Sequence, residues 1–151
     1  ALRWMGPGSQ NSLIGRKVAE VGFGLFASKS YLERNPEPIT TKADLAKHDS
    51  VAVYLSDNDY LWPKNEEGMH VPMGRLTFKS NNIVAHRNAI LNGYGIGILP
   101  ICFSEFMSTT NLQRVLPDHT HHEDLWIVAH EDLTKSVRIR AVLYFFVDAI
   151  V

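Results

Sequence analysis

The chain has 151 residues, of which 45% are hydrophobic, 21% charged and 10% aromatic, and its formal net charge is −1. That balance excludes the strongly basic face needed to grip a phosphate backbone, and the wealth of apolar and aromatic residues excludes a disordered chain. The longest apolar run, Ala141–Val147, is far short of the ~20 residues a membrane-spanning helix requires. No apolar core follows the early Arg3, so no secretory leader is expected. A lone cysteine, Cys102, rules out an internal disulfide and fits a reducing compartment.

In chain order, Pro7–Asn11 reads as a turn. Leu13–Val18 and Phe23–Ala27 read as two strands. Ser28 is placed to cap a short helix through Arg34, which Asn35, Pro36 and Pro38 stop. Thr41-Lys42-Ala43-Asp44 resembles a capping box opening a helix through Lys47, with Asp in the place of Glu or Gln. Val51–Tyr54 is a compact apolar run expected to be a buried strand, and Ser56–Gly68 is polar and irregular. Arg75–Lys79 alternates as a strand. Ser80-Asn81-Asn82 offers N-caps for a helix with Ile83, Val84, Ile90 and Leu91 on its apolar face and His86, Arg87 and Asn88 largely elsewhere. Gly93 sits where a C′ glycine belongs. Gly95–Pro100 reads as a short buried strand. Leu112–Leu116 and Leu125–Ala129 read as further strands, and Thr134 is placed to cap a last helix from Lys135 to about Ala149. Strands and helices alternate with short connections, which predicts an α/β chain of open sheets covered by helices.

Few patterns in it carry chemistry. Gly93-Tyr94-Gly95-Ile96-Gly97 follows a helix and precedes a strand, the reverse of a dinucleotide fingerprint. Asp118, His119, His121, His122, Glu123 and Asp124 crowd together, but their spacing matches no strong metal motif and a solvated loop between strands accounts for them; His130-Glu131-Asp132 is weaker still. Ser28, Ser56 and Ser80 have no elbow glycines that would mark a nucleophile. Cys102 is expected to be a buried, inert thiol. The more informative feature is Ser80-Asn81-Asn82, where short polar side chains and free amides at a helix start after a strand can receive an anion as well as cap.

Taken together, several stretches resemble the effector-binding domain of LysR-type transcriptional regulators. They are Ala1-Leu2-Arg3-Trp4, Ser12–Val18, Gly24–Leu32, Ala43–Asp49, Gly74–Asn81, Gly95–Pro100, Leu125–His130 and Val137–Ala141. No one of them is specific, but their order along the chain is. Lys29 stands where the family commonly has proline.

The resemblance implies a fold similar to type 2 periplasmic binding proteins, with two Rossmann-like lobes joined by two crossings. The crossings are expected near Ala19–Val21 and Val115–Pro117. Residues 1–20 and 116–151 would then form part of the first lobe and residues 21–115 the complete second lobe. The family's domain opens with a strand-helix-strand-helix stretch ahead of the strand that Ala1–Arg3 resembles, so the first lobe is expected to be incomplete here.

The resemblance also implies a small-molecule effector, a carboxylate or aromatic metabolite, held in the cleft. The positions it points to are Trp4, Met5 and Gly6 after the first strand, Tyr54, Ser56 and Trp62 in the second lobe, Ser80 and Asn81 at the helix start, and Pro100. It implies a cytoplasmic, non-enzymatic sensor without cofactor or metal that forms homodimers or larger oligomers. DNA would be reached through a helix-turn-helix domain outside this chain. A transport solute-binding protein of the same fold and a metal-dependent enzyme built on residues 118–124 are the competing expectations.

Overall fold

Strand β2, Leu13–Ser28, joins in one 16-residue element the two strands expected from the sequence. Its first half carries the exposed Arg16, Lys17 and Glu20, whereas Phe23–Ser28 are all buried, so a change in environment looks like a break in sequence although the backbone stays extended. The computed structural model describes residues 1–4, 6–9, 12–56, 59–102 and 111–150, with only the backbone of residues 55, 56 and 59. The chain divides into two compact units, Ala1–Gly22 with His122–Val151, and Phe23–His121.

In the first unit, β1 (Leu2–Arg3) pairs antiparallel with β8 (His121–His130), Leu2 opposite Ile127 and Arg3 opposite Trp126, and β8 lies beside β2. Lys17 and Asp124 form a cross-strand ion pair, and the Trp126 indole packs over Gly6 and Gly15. Thr134 does not cap the last helix. It lies inside a 3-10 turn, Glu131–Lys135, where its hydroxyl donates to the Glu131 carbonyl at 2.7 Å. The helix, α3, runs over Val137–Ile150 and buries none of its residues fully. Its inner side chains Leu143 and Val147 share a pocket of about 280 Å³ with Ile14, Ile127 and Ala129, while Val137 (71%) and Phe145 (66%) face outward.

In the second unit, Ser28 caps α1 (Lys29–Arg34) as expected, its Oγ accepting from the Tyr31 N–H at 3.1 Å. The Asp44 carboxylate accepts from the backbone amides and hydroxyls of Thr40 and Thr41, opening a short 3-10 helix, Lys42–Lys47. Those bonds, the Thr41 amide first, hold Asp44 well below the usual carboxylate range.

The sheet is built on β3 (Asp49–Ser56). It runs parallel to β5 (Arg75–Ser80), with Asp49 opposite Arg75 and Val53 opposite Ser80. β4 (Asp59–Leu61), which the polar 56–68 segment conceals, returns antiparallel along it. β6 (Gly97–Pro100) joins β3 through a parallel bridge between Ser50 and Ile96, with Val51 N–H donating to the Ile96 carbonyl at 2.8 Å. β6 also pairs antiparallel with the buried half of β2, Phe23 opposite Pro100 and Leu25 opposite Ile98, and β7 (Leu112–Val115) lies against Leu25–Ser28.

Phe26, Val51, Leu99, Ala89 and Ile90 form the core under α2 (Ile83–Leu91). The buried face of α2 only partly matches the one its apolar residues suggest, with Ile90 buried and Leu91 half-buried as expected. His86, Ala89 and Ile90 are buried, whereas Ile83 (40%) and Val84 (54%) are exposed. Cys102, expected inside, is exposed.

Two close approaches fix the start of β3. Gly95 has φ +149°, and a Cβ there would lie 2.5 Å from the Asp49 carbonyl oxygen. Gly74 has φ +75° and is pressed against the His48 carbonyl. By contrast Gly68, φ +80°, has nothing within 4 Å. Gly68→Ala is expected to cost about 1–2 kcal/mol, the strain of a positive φ alone. Gly95→Ala is expected to cost clearly more, because β3 and the turn before β6 must also separate. Urea unfolding of the two variants checks the order.

Candidate functional site

Because β3, β5 and β6 run parallel, their carboxyl ends Ser56, Ser80 and Pro100 lie at one edge of the sheet, and open α/β sheets take ligands at that edge. The chain leaves β5 through Asn81 and Asn82 into the amino end of α2. Asn82 is the cap, with its Oδ1 accepting from Val84 N–H at 2.9 Å and Ala85 N–H at 3.1 Å. The Ser80 Oγ accepts from Asn82 N–H at 3.0 Å, which leaves the Ser80 hydroxyl proton free to donate. Asn81 is exposed and takes no part in the cap. Lys79 brings its ammonium 6.0 Å from the centre of the Tyr54 ring, the outer limit of a cation–π contact. The edge therefore offers a hydroxyl, an amide, a phenol, an ammonium and the positive end of a helix. It is suited to binding a small anion or polar molecule.

The expected site residues divide between the two units. Tyr54, Ser56, Ser80, Asn81 and Pro100 belong to this edge, although the Ser56 side chain lies outside what is described and Pro100 is buried in its pairing with Phe23. Trp62 does not belong to it. β4 runs antiparallel to β3 with Leu61 opposite Val53, so Trp62 is carried back from the edge, and at 1% exposure it is a core residue. In the first unit, Trp4 is exposed at 43% and Gly6 lies against the Trp126 ring, where a Cβ would be 3.3 Å from it. Met5 lies outside the described residues. Lys79 was not singled out by the sequence as an edge residue, whereas Asn82 was, within Ser80-Asn81-Asn82. The parallel pairing of β5 with β3 is what places Lys79 there, and no local pattern encodes that pairing.

The histidine-rich segment is only in part a loop. His119 N–H closes a turn on the Leu116 carbonyl at 2.9 Å, and His121 begins β8. Among the described residues no three His, Cys, Asp or Glu side chains gather as they would around a metal ion.

His86 lies beneath the edge, in the second turn of α2. It is fully buried, its Nε2 donates to the Ile98 carbonyl at 2.8 Å, and its Nδ1 is buried without a partner. Burial lowers its pKa below the ordinary 6.5, and the bond to Ile98 opposes that shift. The neutral ring with its proton on Nε2 is thus the native form.

The family model of the LysR substrate binding domain matches residues 1–150. Curated relatives include the HTH-type transcriptional activator TtdR of Escherichia coli, 28% identical over 131 residues, with 80% of this chain and 40% of that protein covered. The chain thus spans well under half the length of the curated relatives it matches. Among solved structures, the regulatory domain of AphB from Vibrio vulnificus is 27% identical with a TM-score of 0.71, covering 98% of this chain and 73% of that one. The regulatory domain of CrgA from Neisseria meningitidis shares the fold at 22% identity, with a TM-score of 0.79, 99% of this chain and 74% of that one covered.

The buried His86 gives stability a defined pH dependence. The unfolded chain takes up a proton near pH 6.5 and the native state resists it, so stability falls as pH drops from 6.5 toward the lowered native pKa. In His86→Gln, whose amide can still donate to Ile98, that component is expected to vanish. Urea midpoints measured from pH 7.5 down to 5 in both proteins check it.

Proposed function

Since the chain belongs to the LysR substrate-binding domain family, we propose that it is the ligand-sensing module of a bacterial DNA-binding transcriptional regulator. The observation that carries the reading is the shared carboxyl edge of β3, β5 and β6, closed by the amino end of α2. A small-molecule effector, a carboxylate or an aromatic metabolite, is held there by the Ser80 hydroxyl, the Asn81 amide and the Tyr54 ring. The two compact units are read as the two lobes of the domain. Binding shifts the population of regulator conformations and thereby transcription, and no bond is made or broken.

In this reading the protein works in the cytoplasm as a homodimer or larger homo-oligomer. It reaches DNA through a helix-turn-helix domain, the element that the name of its E. coli relatives carries. Among the described residues no helix is long and apolar enough to cross a membrane. The family match favours the regulator over a transport solute-binding protein.

Calorimetric titration of the protein with a panel of small carboxylates and aromatic metabolites tests the reading. One class is expected to bind. Ser80→Ala and Asn81→Ala are each expected to weaken that binding about tenfold, the loss of one hydrogen bond of ~1.4 kcal/mol, with little change in melting temperature. If no compound of either class binds or shifts the melting temperature, sensing at this edge is wrong.

A further inference from the structure

We propose that the second unit carries a second ligand site, separate from the carboxyl edge, that takes a small dicarboxylate. On the sheet face opposite Phe26 and Leu99, the side chains of Phe23, Leu25 and Ile98 floor a pocket of about 240 Å³. That is smaller than the ~300–1,000 Å³ of sites for drug-sized ligands. Its walls come from three separate places: Lys42 at the start of the 3-10 helix, Pro63 and Lys64 after β4, and the Asp118–His121 segment. Ser80, Asn81 and Asn82 take no part in it.

The charge of the pocket selects an anion. Lys42 and Lys64 both line it, and among the described residues neither makes an ion pair. Glu66 and Glu67 share the adjoining hollow with both lysines without reaching either. Asp118 is the only carboxylate in the lining, so the two ammonium groups outweigh it before the imidazoles of His119 and His121 are considered. Two like charges facing one pocket repel each other, and a bound anion relieves that repulsion.

The polar wall is held in position. Arg114 donates to the Thr120 Oγ at 2.7 Å, which leaves the Thr120 proton free to donate. The His121 ring meets the His70 ring edge-on at 5.7 Å between centroids, and His70 is itself fixed by its Nδ1–H bond to the Trp62 carbonyl at 2.6 Å.

The layout favours two carboxylates over one phosphate. The ammonium groups stand on different elements with an apolar floor in the same pocket, which suits a short carbon chain charged at both ends. A phosphate concentrates its charge on one centre and is best met by an arginine fork or a nest of backbone amides. Thus the histidine cluster that stands out in the sequence serves as one wall of an anion pocket.

Titration with succinate, and separately with inorganic phosphate, tests the proposal. Succinate is expected to bind in the millimolar range or tighter and to weaken as salt is raised. Its affinity is expected to fall at least tenfold in the Lys42→Gln/Lys64→Gln double variant and to be retained in Ser80→Ala and Asn81→Ala. Because neither lysine makes an ion pair, the double variant should melt as the parent does, which separates lost binding from lost folding. The proposal is overturned by succinate binding that survives the lysine changes, by binding abolished in Ser80→Ala, by phosphate binding as tightly as succinate, or by no succinate binding at all. The edge site is tested by its own variants, so either site can fail without the other.

Discussion

One residue, Asp49, uses every polar group it has to assemble the second unit. Its N–H donates to the Tyr31 hydroxyl at 2.8 Å, tying in α1. Its carbonyl accepts from Ile96 N–H at 2.9 Å, bringing up β6. Its carboxylate takes the Arg75 guanidinium in a two-point pair at 2.9 and 3.1 Å, setting the register of β5. The Tyr31 hydroxyl, having accepted from Asp49, passes its own proton toward His48 Nδ1 at 3.2 Å, and the His48 Nε2 proton then points to the Glu37 carbonyl at 3.2 Å. This chain satisfies buried polar groups that would otherwise be costly. It also explains the glycines beside it: Gly95 and Gly74 are the places where neighbouring backbone must come within a Cβ's reach of β3.

Three parallel strands with their starts gathered in this way necessarily have their ends gathered too. The second unit therefore presents a carboxyl edge with a helix amino end beside it, and chemistry able to hold a small polar ligand accumulates there without a sharp sequence motif. One face of β6 and the β2 strand paired with it is apolar at Phe23, Leu25 and Ile98 and meets lysines and histidines from three connecting segments. A sheet of this kind thus offers two different environments: hydroxyl, amide and helix dipole at the edge, and paired ammonium groups over an apolar floor on the face.

Local signals in the sequence were reliable where one side chain does one job. Ser28 caps α1, Asp44 opens the 3-10 helix and Gly93 ends α2, each through short-range bonds that the residue types announce. The signals failed where tertiary partners decide. α2 is entered by the apolar pair Ile83 and Val84, yet it turns His86 inward, where the Ile98 carbonyl takes the Nε2 proton and Gly97 leaves room for the ring, a Cβ there lying 3.0 Å from His86 Cε1. The change from exposed to buried side chains hid the continuity of β2 through residues 19–22, and the short β4 exists only because β3 is there to pair with it. Trp62 and Cys102 exchanged their expected places, one buried and the other exposed, for the same reason: exposure depends on where neighbouring elements pack. The strand-end positions of Ser80 and Pro100 were legible from the motif order, whereas that of Lys79 required the β3–β5 register.

The proposed effector site is the edge where β3, β5 and β6 end. Amide hydrogen exchange tests that most directly, measured with and without a compound that raises the melting temperature of the protein and of its Lys42→Gln/Lys64→Gln variant alike. New protection is expected to concentrate at Tyr54–Ser56, Ser80–Ala85 and around Pro100. Protection that leaves these three segments unchanged while the compound is bound would contradict it.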